Sequence, residues 1–233
     1  MSGTLYGVGL GPGAPDLMTL RAARLIEAAK VVAYPTLAGG ESFARAIAAD
    51  LISDDVREIV MDVPMTVERA PAQEAYDTGA AAIAAALDAG EDVVCLCEGD
   101  PFFYGSFMYL FARLSGKYQV EVVPGVTSVT ACAARAGMPL AARNERLTVL
   151  PGPLPEDELR ARIEGAESVV IMKVGRHMAK IRAVIDGLGL TDNAVYVERA
   201  TLPQEVVSPL ADATEKAPYF SMILLTKGAD PWL

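Results

Sequence analysis

Along the N-terminal part of the chain, short apolar runs alternate with longer alanine-rich stretches whose apolar positions recur every three to four residues. The runs "LYGVGL", "VVAYP", "VREIVM", "VVCLCEG" and "VEVVPG" read as strands. "TLRAARLIEAAK", "ESFARAIAADLI", "EAYDTGAAAIAAALDAG" and "YGSFMYLFARLSG" between them read as helices. Strands that are apolar on both faces and joined by helices predict a parallel sheet covered on both sides. "GVTSVTACAARAGMPL" adds a helix that stops at Gly137, with Pro139 just beyond it. A second series follows, "LTVLPG", "SVVIMKV", "AVYVERA", "EVVSPL" and "YFSMILLTKG", with helices only around 156–164 and 176–188. Ten strands are too many for one comfortable sheet at this length, so the pattern predicts an α/β fold of two α/β domains. The first, 1–142, holds a parallel-type five-stranded sheet; the second, 143–233, a mixed five-stranded sheet, with the division at the polar stretch "AARNERL".

Composition narrows the classes of function. No apolar run approaches the roughly 20 residues of a membrane span, and "MSGTLYG" lacks a charged segment ahead of an apolar one, so a cytoplasmic protein is expected. Lys plus Arg (20) against Asp plus Glu (30) leaves a net charge of −10, which argues against nucleic acid or an anionic membrane as partner. An anionic ligand therefore needs local cations. Three cysteines make no disulfide framework. Cys95 and Cys97 share a strand face, and with only Cys132 and His177 besides, a metal site lacks ligands, so buried packing is expected and no metal.

The candidate chemistry lies in three loops. After the first strand the chain reads "GLGPGAPDL" and enters a helix with Thr19 as N-cap. It is neither a dinucleotide fingerprint, which needs an acidic residue where the next strand ends in Tyr34 and Pro35, nor a Walker loop, which needs G-K-[ST]. Pro12 and Pro15 remove donors that a phosphate wants, so the loop suits a ligand with apolar or cationic surface. Gly99, Asp100 and Pro101 follow a buried strand, and Gly125, Thr127 and Ser128 lie between a strand and a helix. Any one of these is ordinary turn or cap chemistry, but all three belong on the carboxyl edge of one sheet, where ligands bind. A carboxylate, carbonyls and hydroxyls there suit an ammonium or sulfonium carried with a ribose and a purine.

"VGLGPGAPDLMTLRA", "EGDPFFYGS" and "VPGVTS", in this order, resemble the tetrapyrrole methyltransferases that use S-adenosylmethionine to build cobalamin and sirohaem. The resemblance extends over the chain through "VVIMKVGR", "VERAT" and "MILLTKG", while "AAKVVAYPTL" and "GDPFFYGSFMYLFARL" are similar to the corrin branch that methylates a meso carbon. It implies two α/β domains with the methyl donor in the cleft between them, a small-molecule tetrapyrrole as substrate, and a homodimer. Donor contacts are implied at Pro12, Gly99, Asp100, Phe103, Thr127, Ser128, Met172 and Ala200. Uroporphyrinogen methylases of the family usually carry an arginine where this chain has Ser106, a departure that points to a later methylation.

The implied reaction is displacement at a sulfonium methyl by an electron-rich macrocycle carbon, where in-line positioning and a dry site supply much of the rate. A base must take the meso proton. Tyr34, Glu98 and Tyr104 on strand-end loops are the catalytic candidates, and His177, at a helix start, reads as a surface or capping residue. The substrate's acetates and propionates call for cations, and Arg143 and Arg146 with Ser106 are the expected substrate contacts, among Arg21, Arg135, Lys173, Arg176 and Arg199 as further cations near loops. A non-catalytic tetrapyrrole carrier and a protein methylase akin to the diphthine synthases remain as alternatives.

Overall fold

The computed structural model describes residues 1–37, 40–64 and 70–228. The chain divides into two compact units, Met1–Thr127 and Ser128–Leu233.

In the first unit, β1 (Thr4–Gly9), β2 (Val31–Leu37), β3 (Arg57–Val63), β4 (Val93–Cys97) and β5 (Gln119–Val123) form a wholly parallel sheet in the order β3-β2-β4-β1-β5. Helices α1 (Leu20–Glu27), α2 (Phe43–Ile47), α3 (Ala70–Asp88) and α4 (Phe107–Leu114) connect the strands or cover the faces. The unbroken apolar run of β4 now has its reason: Val93, Cys95 and Cys97 pack with Ile83 and Leu87 of α3 and Phe107 and Leu110 of α4. Val94 and Leu96 pack on the opposite face with Ala22 and Ile26 of α1. A strand with cores on both sides has no polar face to alternate. All three cysteines are buried, and burial pushes the Cys132 thiol up to about 12, as expected for packing residues. The Thr19 hydroxyl accepts from the Ala22 amide at 3.2 Å and caps α1.

In the second unit, α5 (Ser128–Ala136) precedes β6 (Leu147–Pro151), α6 (Glu156–Glu164), β7 (Ser168–Met172), α7 (Met178–Gly187), β8 (Ala194–Glu198), β9 (Val206–Pro209) and β10 (Ser221–Thr226). The sheet runs β6-β7-β10-β8-β9, with β10 antiparallel to both neighbours and β6 parallel to β7. It is therefore mixed. On one face Leu159 and Ile163 of α6 and Ile181, Val184 and Ile185 of α7 pack on Val169, Ile171, Ile223 and Leu225; on the other, Val129, Cys132 and Ala133 of α5 pack on Val170, Val197 and Leu224. Because α5 covers this sheet, the compact unit begins at Ser128, ahead of the polar stretch that composition marks at 141–147. α5 ends in a Schellman turn: Gly137 takes φ +61°, its amide donates to the Ala134 carbonyl at 3.3 Å, and the Met138 amide donates to Ala133 at 3.0 Å. Among the described residues no helix is long and apolar enough to cross a membrane.

Candidate functional site

β1, β4 and β5 are adjacent and parallel, so the loops that leave them share one edge of the first sheet. The loops are bonded to one another. Gly11 and Gly99 exchange backbone hydrogen bonds, N–H to O at 3.2 and 2.8 Å, and the Leu10 amide donates to Cys97 at 2.9 Å. The Asp100 carboxylate ties in the rest: Oδ2 accepts from the Gly125 amide at 3.0 Å, and Oδ1 from the amides of Phe102 at 2.9 Å and Phe103 at 3.1 Å. These contacts explain the opening glycines. A Cβ on Gly9 would lie 2.6 Å from Gly125 N, one on Gly125 would lie 2.0 Å from Gly99 O, and one on Gly7 would meet the Phe107 ring at 2.3 Å. The glycine-rich turn lets three backbones approach, and the amides of Gly11, Gly99 and Gly125 are spent within the loops and not aimed at a phosphate. Asp100, expected as an acceptor for the ligand, uses its carboxylate on three backbone amides and is first a clamp of the loops.

The catalytic candidates meet different fates. Tyr34 lies in β2, one residue past the Ala33–Cys95 pair, with its ring in the core, and its hydroxyl donates to Glu58 of β3, which also accepts from Arg45 of α2 at 3.1 Å. Burial, and then the Glu58 hydrogen bond, raise the Tyr34 phenol above its ordinary value, so it is a poor proton acceptor. Glu98 opens the loop after β4. Its outer surface is exposed, yet protein crowds it closely enough that desolvation pushes its carboxyl up to about 7. Tyr104, with φ +57°, stands edge-on to Phe103 at 5.3 Å between ring centroids, and both rings are exposed. Phe102 packs the other way, edge-on to Phe111 of α4 at 5.1 Å. Ser106 is the N-cap of α4, half-buried, and its side chain makes no capping bond. Thr127 and Ser128, both half-buried, lie at the passage from the first unit to the second. Pro12 is half-buried in its loop.

In the second unit β7 and β8 are both antiparallel to β10, hence parallel to each other, and their ends share an edge. Met172 closes β7 opposite Met222, and Ala200, in the turn after β8, is 8% exposed. Their neighbours Lys173, Arg199 and Thr201 have φ of +56°, +47° and +71°. Non-glycine residues in this region cost about 1–3 kcal/mol each and concentrate at functional sites. The backbone around them is firmly held: Gly152 N–H donates to Met172 O at 2.7 Å, Arg199 N–H to Phe220 O at 2.8 Å, and Thr201 N–H to a Glu205 carboxylate oxygen at 2.6 Å. Sequence reasoning did not find Glu205, Glu58 or Arg45, and no motif letter marks them.

The cations divide. Arg146 gives Nη2 to Glu167 Oε1 at 2.8 Å and Nε to Oε2 at 3.0 Å, and its guanidinium pulls the Glu167 carboxyl down to about 2. Beside them Glu145, Glu164, Glu167 and Lys227 line a depression of about 450 Å³. Arg146, expected to contact substrate, thus pairs with Glu167 at an exposed position next to an acidic depression. Arg143, exposed at φ +47°, is outside that depression's lining. Arg21 pairs with Glu121, Arg135 with Glu205 and Arg199 with Glu198. His177 is the N-cap residue of α7 and makes no capping bond; burial, with Lys180 and Arg176 nearby, lowers its imidazole pKa.

The sequence profile of the family Tetrapyrrole (Corrin/Porphyrin) Methylases matches residues 4–214. The chain is 42% identical over 232 residues to the precorrin-2 C(20)-methyltransferase of Sinorhizobium sp, covering 96% of this chain and 95% of that protein. It is 36% identical over 231 residues to the cobalt-precorrin-2 C(20)-methyltransferase of Salmonella typhimurium, covering 97% and 98%. Among solved structures it superposes with a TM-score of 0.69 at 27% identity on uroporphyrin-III C-methyl transferase from Thermus thermophilus complexed with S-adenosylhomocysteine, over 95% of this chain and 97% of that one.

Proposed function

Because this chain belongs to the tetrapyrrole (corrin/porphyrin) methylases, we propose that it transfers a methyl group from S-adenosylmethionine to meso carbon 20 of precorrin-2, a step of cobalamin synthesis. The observation that carries the reading is the 42% identity, end to end, with a relative of that activity. A bound donor supplies an electrophilic methyl: the S–CH₃ bond breaks, sulfur keeps the electron pair as a neutral thioether, and the macrocycle carbon forms the new C–C bond.

The chain's own residues then have three tasks. Backbone at Pro12, Gly99 and Thr127, the Phe103 ring, and Ser128, Met172 and Ala200 bind the donor, with the Asp100 clamp fixing the loops that carry the first group. Glu98, on the loop that leaves β4 and with its carboxyl raised to about 7 by desolvation, is the first candidate to take the proton lost from the meso carbon. Tyr104 belongs to the same segment between β4 and α4, whereas Tyr34, tied to Glu58, is the weaker candidate. Arg143 and Ser106 face the macrocycle's acidic side chains and edge. The chain works in the cytoplasm as a homodimer, the commonest closed assembly; light scattering that returns the 24.6 kDa monomer at micromolar concentration refutes the dimer.

The Salmonella relative favours one second reading, in which the macrocycle already holds cobalt. Incubation with isotopically labelled donor and, in parallel, precorrin-2, cobalt-precorrin-2 and uroporphyrinogen III separates the cases. A single new methyl at the bridge carbon of precorrin-2 is expected. Methylation of uroporphyrinogen III alone sinks the reading and leaves the family intact.

A further inference from the structure

The turn Arg199–Ala200–Thr201 is left-handed at two non-glycine residues, one of them β-branched, a conformation that persists only when its surroundings over-determine it. Two of the restraints are ordinary backbone bonds, Arg199 N–H to Phe220 O at 2.8 Å and Leu202 N–H to Arg199 O at 3.0 Å. The third is a side chain. Glu205 Oε2 accepts from the Thr201 amide at 2.6 Å, while Arg135 holds the same carboxylate through Nη2 at 2.6 Å and Nε at 2.7 and 2.8 Å. The Glu205 side chain is only 14% exposed; that of Arg135, the outer partner, is 55% exposed.

Arg135 is in turn fixed by its helix. It belongs to the last turn of α5, whose Val129, Cys132 and Ala133 are packed on Val170, Val197 and Leu224 of the sheet. The helix that starts at Ser128, itself a proposed donor contact, thus ends on the carboxylate that sets the turn of Ala200, another. In the first unit Asp100 plays a comparable part beside the left-handed Tyr104.

We propose that Glu205, anchored by Arg135, is a positioning residue for the methyl donor, holding the Arg199–Thr201 turn in the one conformation that binds it. The inference rests on the reading of Ala200 as a donor contact. It assigns the strain at Thr201 a use, because a turn held this way does not have to be ordered when ligand arrives.

Calorimetric titration of S-adenosylhomocysteine into the full chain, at a temperature well below each variant's melting midpoint, tests it. Glu205→Ala is expected to weaken binding about tenfold. Glu205→Gln, which keeps an acceptor for the Thr201 amide, should lose less. Adding Thr201→Gly to Glu205→Ala should recover much of the loss, since glycine takes positive φ without strain. In turnover, KM for the donor should rise more than kcat falls. Binding by Glu205→Ala within about twofold of the parent overturns the inference, as does a loss that neither Gln nor the added glycine relieves, which assigns Glu205 to the integrity of the unit alone. Failure of the parent chain itself to bind S-adenosylhomocysteine overturns the donor reading instead.

Discussion

Removing the Asp100 carboxylate is the most direct test of how the loop edge of the first sheet is built. Asp100→Ala deletes three accepted hydrogen bonds, to the amides of Gly125, Phe102 and Phe103. The last two lie at exposed positions where water replaces the carboxylate, so each costs a few tenths of a kcal/mol. The Gly125 residue is half-buried, and its amide faces Gly9 so closely that a Cβ there would lie 2.6 Å from the nitrogen, which leaves little room for water. Leaving it unpaired costs about 1–3 kcal/mol, and the total is about 2–4 kcal/mol. Asp100→Asn is a sharper probe than it looks. Its single oxygen can serve either Gly125 or the Phe102–Phe103 pair, and its NH₂ then faces an amide donor on the other side, so the variant should recover under half of the loss. Urea unfolding gives the stability, and titration of S-adenosylhomocysteine gives donor affinity, expected to weaken by about 1–3 kcal/mol because the displaced loops carry Gly99 and Phe103. An alanine variant destabilised by less than about 0.5 kcal/mol, with unchanged donor affinity, refutes the clamp.

Three further outcomes follow from particular contacts. The Glu98 carboxyl is raised from 4.5 to about 7, so the fold keeps its proton where the unfolded chain has released it; stability should fall as pH rises from about 4.5 to about 7, kcat should rise with an apparent pKa near 7, and Glu98→Gln should flatten the first and remove the second, whereas an unaltered kcat profile in that variant removes Glu98 from the mechanism. Gly125→Ala places a Cβ 2.0 Å from Gly99 O, backbone that cannot turn aside, and should cost several kcal/mol; normal expression with parental donor affinity contradicts the close-approach explanation. Arg146→Ala removes an exposed pair with Glu167 and should change stability by under about 1 kcal/mol, and a several-fold rise in KM for the tetrapyrrole would return Arg146 to the substrate site.

The secondary structure was legible because each element is written in local terms. β4 shows as an apolar run because it is covered on both faces, α5 stops at Gly137 because glycine takes φ +61° freely, and Thr19 caps α1 with its own hydroxyl. The three strand-end loops were legible as well, since a close approach of backbones demands glycine and leaves that letter in the sequence. Left-handed Arg199 and Thr201 leave no letter: their amides are held by Phe220 O and Glu205, partners distant enough in sequence or ordinary enough in type to carry no signal. The same holds for ionisable side chains. A sequence names Asp100, Tyr34 and Arg146 as candidates by residue type and loop position, but whether each is available depends on what the fold sets beside it. Gly125 claims the first, Glu58 the second and Glu167 the third. Periodicity and turn chemistry act over a few residues and are decided by the sequence; the pairing of polar groups across strands and helices is decided only when packing fixes their distances, because a hydrogen bond has almost no reach beyond about 3.5 Å.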